Sequence, residues 1–158
     1  SGHYRLVTIT HAWLGAPAFG IAPGQAEVWA TLRTLTDAGM DGLCAEAECL
    51  ARDTAAGAGV GVEIGYADVF VHCENDPDAV EQLRDALAAE RVPLEPGELP
   101  MRASEDFGRF GKIARSAMFF LGAGEKHASL HNPDYDYPDE LIGIGARVFV
   151  RTLRQLLD

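Results

Sequence analysis

The chain has 158 residues, of which 47% are hydrophobic and 23% charged, and its formal net charge is −11. This composition is typical of a folded globular protein, and the length is sufficient to bury a core. The acidic balance argues against binding to nucleic acid or to anionic lipid, because both require clustered lysine and arginine side chains. No apolar run approaches the roughly 20 residues of a membrane helix.

Cysteine usage bears on the compartment. Cys44, Cys49 and Cys73 form an odd set without regular spacing, which favours a reducing compartment over a disulfide framework. We therefore predict a cytoplasmic protein. Cys44 and Cys49 stand five residues apart on a predicted helix and are interpreted as small core residues, since free cysteines are commonly buried.

The first half of the chain predicts the order strand, strand, helix, strand. Residues 4–12 and 25–33 alternate in polarity, as half-buried strands do. Thr36 is a predicted N-cap for a helix that runs to about Ala55. Residues 60–66 predict a third strand. This order is most of a ferredoxin-like unit that lacks its first strand and helix. Because the chain starts directly with a strand, we expect more polypeptide upstream.

Two apolar faces are predicted to form the core of this half. In the second strand, alternate residues point toward the helices. In the helix, apolar residues recur at helical spacing. The strand residues are Val28, Ala30 and Leu32, and the helix residues are Met40, Leu43, Cys44, Ala47, Leu50 and Ala51.

The second half begins with a strong helix signal, Asn75-Asp76-Pro77, in which Asp76 is the N-cap. The apolar residues 117–121 predict a fully buried strand. A long irregular loop follows over residues 122–138. A closing helix is predicted for residues 139–157.

The long loop contains the strongest chemical signal, Leu130-His131-Asn132-Pro133-Asp134-Tyr135-Asp136-Tyr137. It lies between a predicted strand and a helix, where α/β enzymes place ligands, and imidazole is a common metal ligand. A single loop histidine is more often a surface residue that forms hydrogen bonds, and that interpretation applies with more force to His127. The neighbouring carboxylates are equally compatible with solvated loop charges.

Two further features leave alternatives open. Glu105 and Asp106 begin a predicted short helix within Ser104-Glu105-Asp106-Phe107, where acidic residues normally serve capping and dipole interactions. Arg33 ends the second strand on its polar face. Its guanidinium would suit a bound carboxylate, although a surface ion pair is favoured from spacing alone.

Taken in order, these segments resemble the C-terminal signature of the M20 family of metal-dependent amidohydrolases. The matching segments are Ser104-Glu105-Asp106-Phe107, the apolar residues 117–122, Leu130-His131-Asn132-Pro133-Asp134-Tyr135-Asp136-Tyr137 and Gly145-Ala146-Arg147. The closest branch includes the hippurate and auxin-conjugate hydrolases. The earlier Ala30-Thr31-Leu32-Arg33-Thr34 resembles the lid, or dimerisation, domain of that family. The resemblance covers nearly the whole chain.

The resemblance implies an α/β fold with two segments. Residues 4–68 would form a partial ferredoxin-like lid segment, and residues 74–158 the C-terminal part of a zinc-peptidase-like α/β/α catalytic domain. The parent enzyme would use one or two divalent metals, Zn or Mn, to hydrolyse the amide bonds of N-acyl amino acids or related small amides. The expected partners are the substrate and either a second copy, bound through the lid, or the missing N-terminal part.

Residue roles follow only from the resemblance. His131 matches the last metal ligand of the family, and Arg33 matches a lid arginine that binds the substrate carboxylate. Glu105 and Asp106 match an acidic pair that lines the site, and Asn132 is assigned to the substrate site with them. Gly20 departs from the family, in which many members carry an asparagine.

The larger departure concerns the remaining machinery. The other metal ligands and the general base of the family come from an N-terminal histidine motif and a Glu-Glu pair, and the sequence contains no Glu-Glu dipeptide. We therefore expect the general base upstream of this chain, and little activity from the chain alone. The alternative is a non-catalytic dimerisation or binding module derived from such an enzyme.

Overall fold

A computed structural model describes residues 4–95 and 97–157. These residues form a mixed α/β structure with one two-stranded antiparallel sheet and four helices. The elements are β1 (Arg5–Leu14), β2 (Ala26–Thr34), α1 (Asp37–Ala58), α2 (Pro77–Ala89), a 3-10 helix (Asp106–Lys112) and α3 (Glu140–Leu157). The chain divides between His72 and Cys73 into two compact units, called unit 1 and unit 2 below. Within these residues, no helix combines the length and hydropathy needed to cross a membrane.

Unit 1 begins with a hairpin. The strands β1 and β2 pair in register from Arg5 opposite Thr34 to Leu14 opposite Ala26, with an irregularity between Ile9 and His11. Both strands were predicted correctly, but the expected half-burial of β1 is wrong, since all its residues are exposed. The helix α1 packs against β2. Among the described elements, only β2 makes extensive contact with β1, so the side chains of β1 stay exposed.

The buried face of β2 is smaller than the alternation predicted. Val28 and Ala30 are exposed, and Leu32 is half-buried. A two-stranded ribbon covered by one helix cannot shield the whole length of a strand. The predicted core face is therefore correct only near the end of β2 that adjoins α1.

The helix α1 starts as the sequence predicted and runs to Ala58, about one turn beyond the predicted end near Ala55. The Thr36 hydroxyl oxygen accepts a hydrogen bond from the Gly39 amide at 3.1 Å, and Gly59 closes the helix with a left-handed φ of 68°. Leu43 is buried, and Met40, Cys44, Ala47 and Ala51 are half-buried. Leu50, by contrast, is 69% exposed, so the predicted stripe extends too far round the helix.

The predicted third strand over residues 60–66 is wrong, because this segment forms no ladder with the hairpin. Gly61 and Gly65 raise the entropic cost of an ordered strand and offer no side chain to pack. Side-chain bonds to α1 hold the segment instead. The Tyr66 hydroxyl donates to Glu48 at 2.9 Å, and the His72 amide donates to the Asp37 carboxylate at 2.7 Å.

Unit 2 is built around the packing of α2 on α3. The Asp76 side chain caps α2 by accepting from the Ala79 amide at 3.0 Å, as predicted. The core consists of Ala86, Leu87 and Val148, with the half-buried Val92 and Phe119 against it. At the C-terminal end of α2, Glu90 accepts a hydrogen bond from the Arg151 guanidinium of α3 at 2.9 Å.

The predicted buried strand over residues 117–121 is also wrong. Its residues form no strand, and Phe120 is exposed. A fully buried strand requires neighbouring strands on both edges, and the described residues of unit 2 contain none. The backbone of Met118 instead pairs with the side-chain amide of Asn75, through bonds of 2.8 and 2.9 Å.

Candidate functional site

The loop that precedes α3 is organised by two successive turns. The Asn132 amide donates to the Ser129 carbonyl oxygen at 3.0 Å, and the Tyr135 amide donates to the Asn132 carbonyl oxygen at 3.0 Å. Asn132 thus belongs to both turns through its backbone. Its side chain is exposed at the surface, as is that of the preceding residue, His131.

His131 occupies the third position of the first turn with a φ of 70°. This left-handed conformation is the one that a type II turn requires there, and glycine or asparagine normally supplies it. Histidine adopts the left-handed region more often than most residues, but this conformation still costs free energy relative to glycine. The imidazole itself is exposed. The turn therefore projects a titratable ring into solvent at a position that stability alone would give to glycine.

His127 is held much more firmly in the same loop. Its Nδ1 lies 2.9 Å from the Ala128 carbonyl oxygen, and its Nε2 lies 2.5 Å from the Asp136 carbonyl oxygen. The ring meets Tyr135 edge-on, with centroids 5.0 Å apart. The expected hydrogen-bonding role of His127 fits these contacts. Both of its ring nitrogens are engaged within the loop.

The acidic pair lies at the start of the 3-10 helix, as predicted. Glu105 is the N-cap residue, but its side chain makes no capping hydrogen bond, and Asp106 is the first residue of the helix. Both carboxylates are exposed. Because Glu105 makes no capping bond, capping does not explain this residue. Burial, and then the nearby Glu105 carboxylate, raise the pKa of the Cys73 thiol.

Arg33 is half-buried near the end of β2 and lies opposite Leu6 of β1. It belongs to unit 1, whereas His131, Asn132 and the acidic pair belong to unit 2. Within unit 2, His131 and Asn132 are neighbours in one turn, and Glu105 and Asp106 lie at a separate helix end.

The donor set does not fit a bound metal by itself. Among residues 4–95 and 97–157, no group of three or more histidine, cysteine, aspartate or glutamate side chains converges as a metal site would require. Catalytic zinc sites use three protein ligands, and His131 offers one imidazole. The described part of the chain therefore contains at most a fraction of a metal site.

Thiol chemistry finds little support. Cys49 and Cys73 are exposed and Cys44 is half-buried, so the expectation of a core role is wrong for Cys49. A hydrogen bond from Cys49 to Asp53 raises the pKa of the Cys49 thiol. Because the thiolate is the reactive form, a raised thiol pKa makes both exposed cysteines poor nucleophiles at neutral pH.

Asn75, which the sequence marked only as part of a helix start, has a further structural role that was not predicted. Its side-chain amide bonds both backbone groups of Met118, and the neighbouring Asp76 amide donates to the Ser116 carbonyl oxygen at 2.9 Å. These bonds fix the start of α2 to the segment that leads into the loop. No local signal announces them, because the partners stand about forty residues apart.

A family model offers an independent comparison. The model of peptidase family M20/M25/M40 matches residues 8–155, which is nearly the whole chain and includes Arg33, the acidic pair and the His131 loop. Neither the curated proteins nor the solved structures that were searched gave a match.

Proposed function

We infer that this chain, which belongs to peptidase family M20/M25/M40, is part of a hydrolase that cleaves amide bonds. We propose more specifically that it supplies the C-terminal part of a metal-dependent amidohydrolase acting on N-acyl amino acids or related small amides. The order of its motifs supports the assignment to the C-terminal part, and the sequence of residues 130–137 supports the hippurate and auxin-conjugate hydrolase branch.

The observation that carries the proposal is the conformation of His131. An exposed histidine with a φ of 70° costs stability that a glycine would not. The residue is exposed, so burial offsets little of that cost. Asp68 and Arg91 have a positive φ too, so the conformation supports a functional role for His131 only together with the family match over its loop. Contributing one ligand to a divalent metal is the role that the family suggests.

Enzymes of this family are typically dependent on divalent metals, and Zn or Mn is the proposed cofactor here. The described residues alone do not form such a site. The proposal therefore assigns the remaining ligands and the general base to polypeptide outside this chain. His131 would contribute its imidazole to a centre that is completed elsewhere, and the isolated chain would have little activity.

The substrate contacts proposed for this chain are polar. Arg33, half-buried at the end of β2, would bind a substrate carboxylate, because a guanidinium matches a carboxylate through two parallel hydrogen bonds. Glu105, Asp106 and Asn132 are exposed and would contribute to the wall of the site. The absence of a capping bond from Glu105 supports a role for that carboxylate beyond the 3-10 helix.

The exposed apolar side chains support a partner polypeptide. Ile9 and Leu14 of β1 and Phe149 and Leu156 of α3 are all more than half exposed. Large apolar patches on a protein surface mark interaction sites. The exposed apolar residues of β1 and α3 fit coverage by the rest of the enzyme or by a second copy.

The test uses the full-length protein that contains this chain, with the variants His131→Ala and His131→Gly. The glycine variant removes the imidazole and relieves the left-handed backbone, so it separates the side chain from the turn. Both variants should lower metal content per folded molecule. Both should also lower hydrolysis of N-acyl amino acids by more than the roughly 10- to 100-fold that losing an outer partner of a metal ligand costs.

A histidine from the hairpin provides the matched control. His11→Ala removes an imidazole from β1 and should leave metal content and turnover unchanged. Full metal content and full turnover in both His131 variants would show that the loop has no part in hydrolysis. The chain would then be better described as a binding or dimerisation module.

Arg33 is tested by the separation of KM from kcat. Arg33→Ala should raise KM for substrates that carry a carboxylate by about 10- to 100-fold, the value of a charge-assisted hydrogen bond, while metal content stays constant. Arg33→Lys keeps the charge but loses the forked geometry, so its KM should lie between those of wild type and Arg33→Ala. Arg52→Ala, which removes an exposed guanidinium from α1, should leave KM unchanged. A KM for Arg33→Ala equal to that of wild type would remove Arg33 from the substrate site.

A further inference from the structure

The loop before α3 contains a histidine whose two ring nitrogens both face carbonyl oxygens. Nδ1 of His127 lies 2.9 Å from the Ala128 oxygen, next to it in the chain, and Nε2 lies 2.5 Å from the Asp136 oxygen, on the far side of the loop. The ring is half-buried and packs edge-on against Tyr135.

The chemistry of the contacts is specific, because a carbonyl oxygen only accepts hydrogen bonds. A ring nitrogen donates only when it carries a proton, so a neutral imidazole donates to one of the two oxygens. The doubly protonated ring donates to both. A charged donor also forms a stronger hydrogen bond than a neutral one. The imidazolium form of His127 is therefore complementary to the loop at both nitrogens.

We propose that His127 is the positioning residue of this loop, which bridges the carbonyl oxygens of Ala128 and Asp136 and thereby holds His131 in its left-handed turn. The two turns closed by the Asn132 and Tyr135 amides both lie between the bridged residues. Cross-linking the ends of a segment reduces the conformations open to it. A residue in a costly left-handed conformation persists only where its surroundings fix it.

This inference rests on the proposed function only for the use to which the enzyme puts His131. The loop closure itself depends on the contacts of His127. It is therefore tested on the 158-residue chain without metal or substrate, where the amides of Asn132 and Tyr135 report on the two turns.

The first experiment compares hydrogen exchange at those two amides in His127→Phe, His127→Ala and wild type. His127→Phe keeps a ring beside Tyr135 but, like His127→Ala, removes both donors. In both variants the two amides should exchange about tenfold faster than in wild type, as expected when one or two hydrogen bonds are lost. His11→Phe, in β1, is the matched control and should leave both amides unchanged. Wild-type exchange in His127→Phe would overturn the proposal, because ring packing alone would then suffice.

The second experiment records the ring N–H protons in mildly acid solution, where a ring nitrogen that lies against a carbonyl oxygen can carry a proton and donate it. Both N–H protons of His127 should be visible and exchange slowly, since both are hydrogen-bonded. Those of the exposed His131 ring, in the same loop, should exchange too fast to be seen. Equally fast exchange at the two rings would overturn the bridge.

The two proposals fail in different ways. Unchanged metal content in His131→Gly together with a loosened loop in His127→Phe would refute the proposed function and leave the bridge intact. Lost metal content in His131→Gly with an undisturbed loop in His127→Phe would refute the bridge and leave the proposed function intact.

Discussion

Each of the two units is stabilised internally by a different kind of interaction. In unit 1, the helix α1 covers part of a hairpin, and its buried apolar residues are Leu43 and Ala55. In unit 2, α2 and α3 pack side by side over Ala86, Leu87 and Val148, with Phe119 and Val92 against them. Unit 1 thus depends mainly on its backbone ladder and side-chain hydrogen bonds, whereas unit 2 has a small apolar core.

This difference determines which substitutions should lower the stability of each unit. A ladder and exposed hydrogen bonds contribute little net free energy individually, and their loss is spread over many groups. A core of three residues concentrates its free energy in a few side chains, because burying an aliphatic side chain is worth about 1.5–3 kcal/mol. Single substitutions should therefore affect unit 2 most through its core and unit 1 through its capping and side-chain bonds.

The largest effect is expected for Val148→Ala. Val148 is fully buried, so truncation removes two methyl groups and leaves a cavity, at a cost of about 2 kcal/mol. Hydrogen exchange of α2 and α3 peptides measures this cost in unit 2. Both tryptophans, Trp13 and Trp29, lie in the hairpin, so urea unfolding followed by their fluorescence reports unit 1 and should stay unchanged.

The control for Val148 lies on the same helix. Leu153 is 56% exposed, and in the monomeric 158-residue chain, without the proposed partner, Leu153→Ala should change stability by less than about 0.5 kcal/mol, as surface substitutions do. A cost equal to that of Val148→Ala would show that this face of α3 is covered in solution. An equal shift of the tryptophan transition in Val148→Ala would show that the two units unfold as one.

The next largest effect is expected at Asn75. Asn75→Ala removes both bonds to the Met118 backbone and should lower the stability of unit 2 by about 1–2 kcal/mol. Asn75→Asp keeps the acceptor for the Met118 amide and loses the donor, so it should cost less. The measurement is the exchange rate of the Met118 amide relative to amides in α2. An unchanged rate in Asn75→Ala would show that the segment is fixed by other contacts.

The sequence predicted those features that depend on residues close together in the chain. Thr36 and Asp76 were identified as N-caps because a capping side chain bonds an amide three residues away. The hairpin strands were found from alternation. The segments 60–66 and 117–121 were predicted as strands and are not, because a strand also requires a partner, and composition carries no information about the partner.

The candidate site follows the same division. The loop and its histidines were located from the sequence, and their residue types suggested metal chemistry. The left-handed φ of His131 and the two carbonyl contacts of His127 were not predictable, since both depend on how the loop closes. The bond between Asn75 and Met118 joins residues too distant in the chain for any local pattern to reveal. Conformation and long-range pairing were thus the missing information.

A third prediction compares the two units directly through their caps. Thr36→Ala and Asp76→Ala each remove one capping bond and should each cost about 1 kcal/mol, the first in unit 1 and the second in unit 2. Thr36→Ser and Asp76→Asn retain the acceptor and should restore most of the loss. Tryptophan fluorescence detects the first pair, and hydrogen exchange in α2 detects the second. Equal effects of both alanine variants on the tryptophan transition would contradict the separation of the units.

The smallest effect concerns the pH dependence of unit 1. Hydrogen bonds from Arg52 and then from Tyr66 lower the pKa of Glu48 below its ordinary 4.5. A carboxyl group with a lowered pKa in the folded state contributes stability above pH 4.5, and that contribution is lost as the pH falls through the folded value. Glu48→Gln should therefore lower the urea midpoint of the tryptophan transition slightly at pH 7, and the difference should shrink as the pH falls toward about 3. Glu81→Gln, on α2, is the matched control and should leave that midpoint unchanged at both values. A difference for Glu48→Gln that stays undiminished on acidification would assign its effect to packing rather than to charge, because protonation removes the charge of the carboxylate.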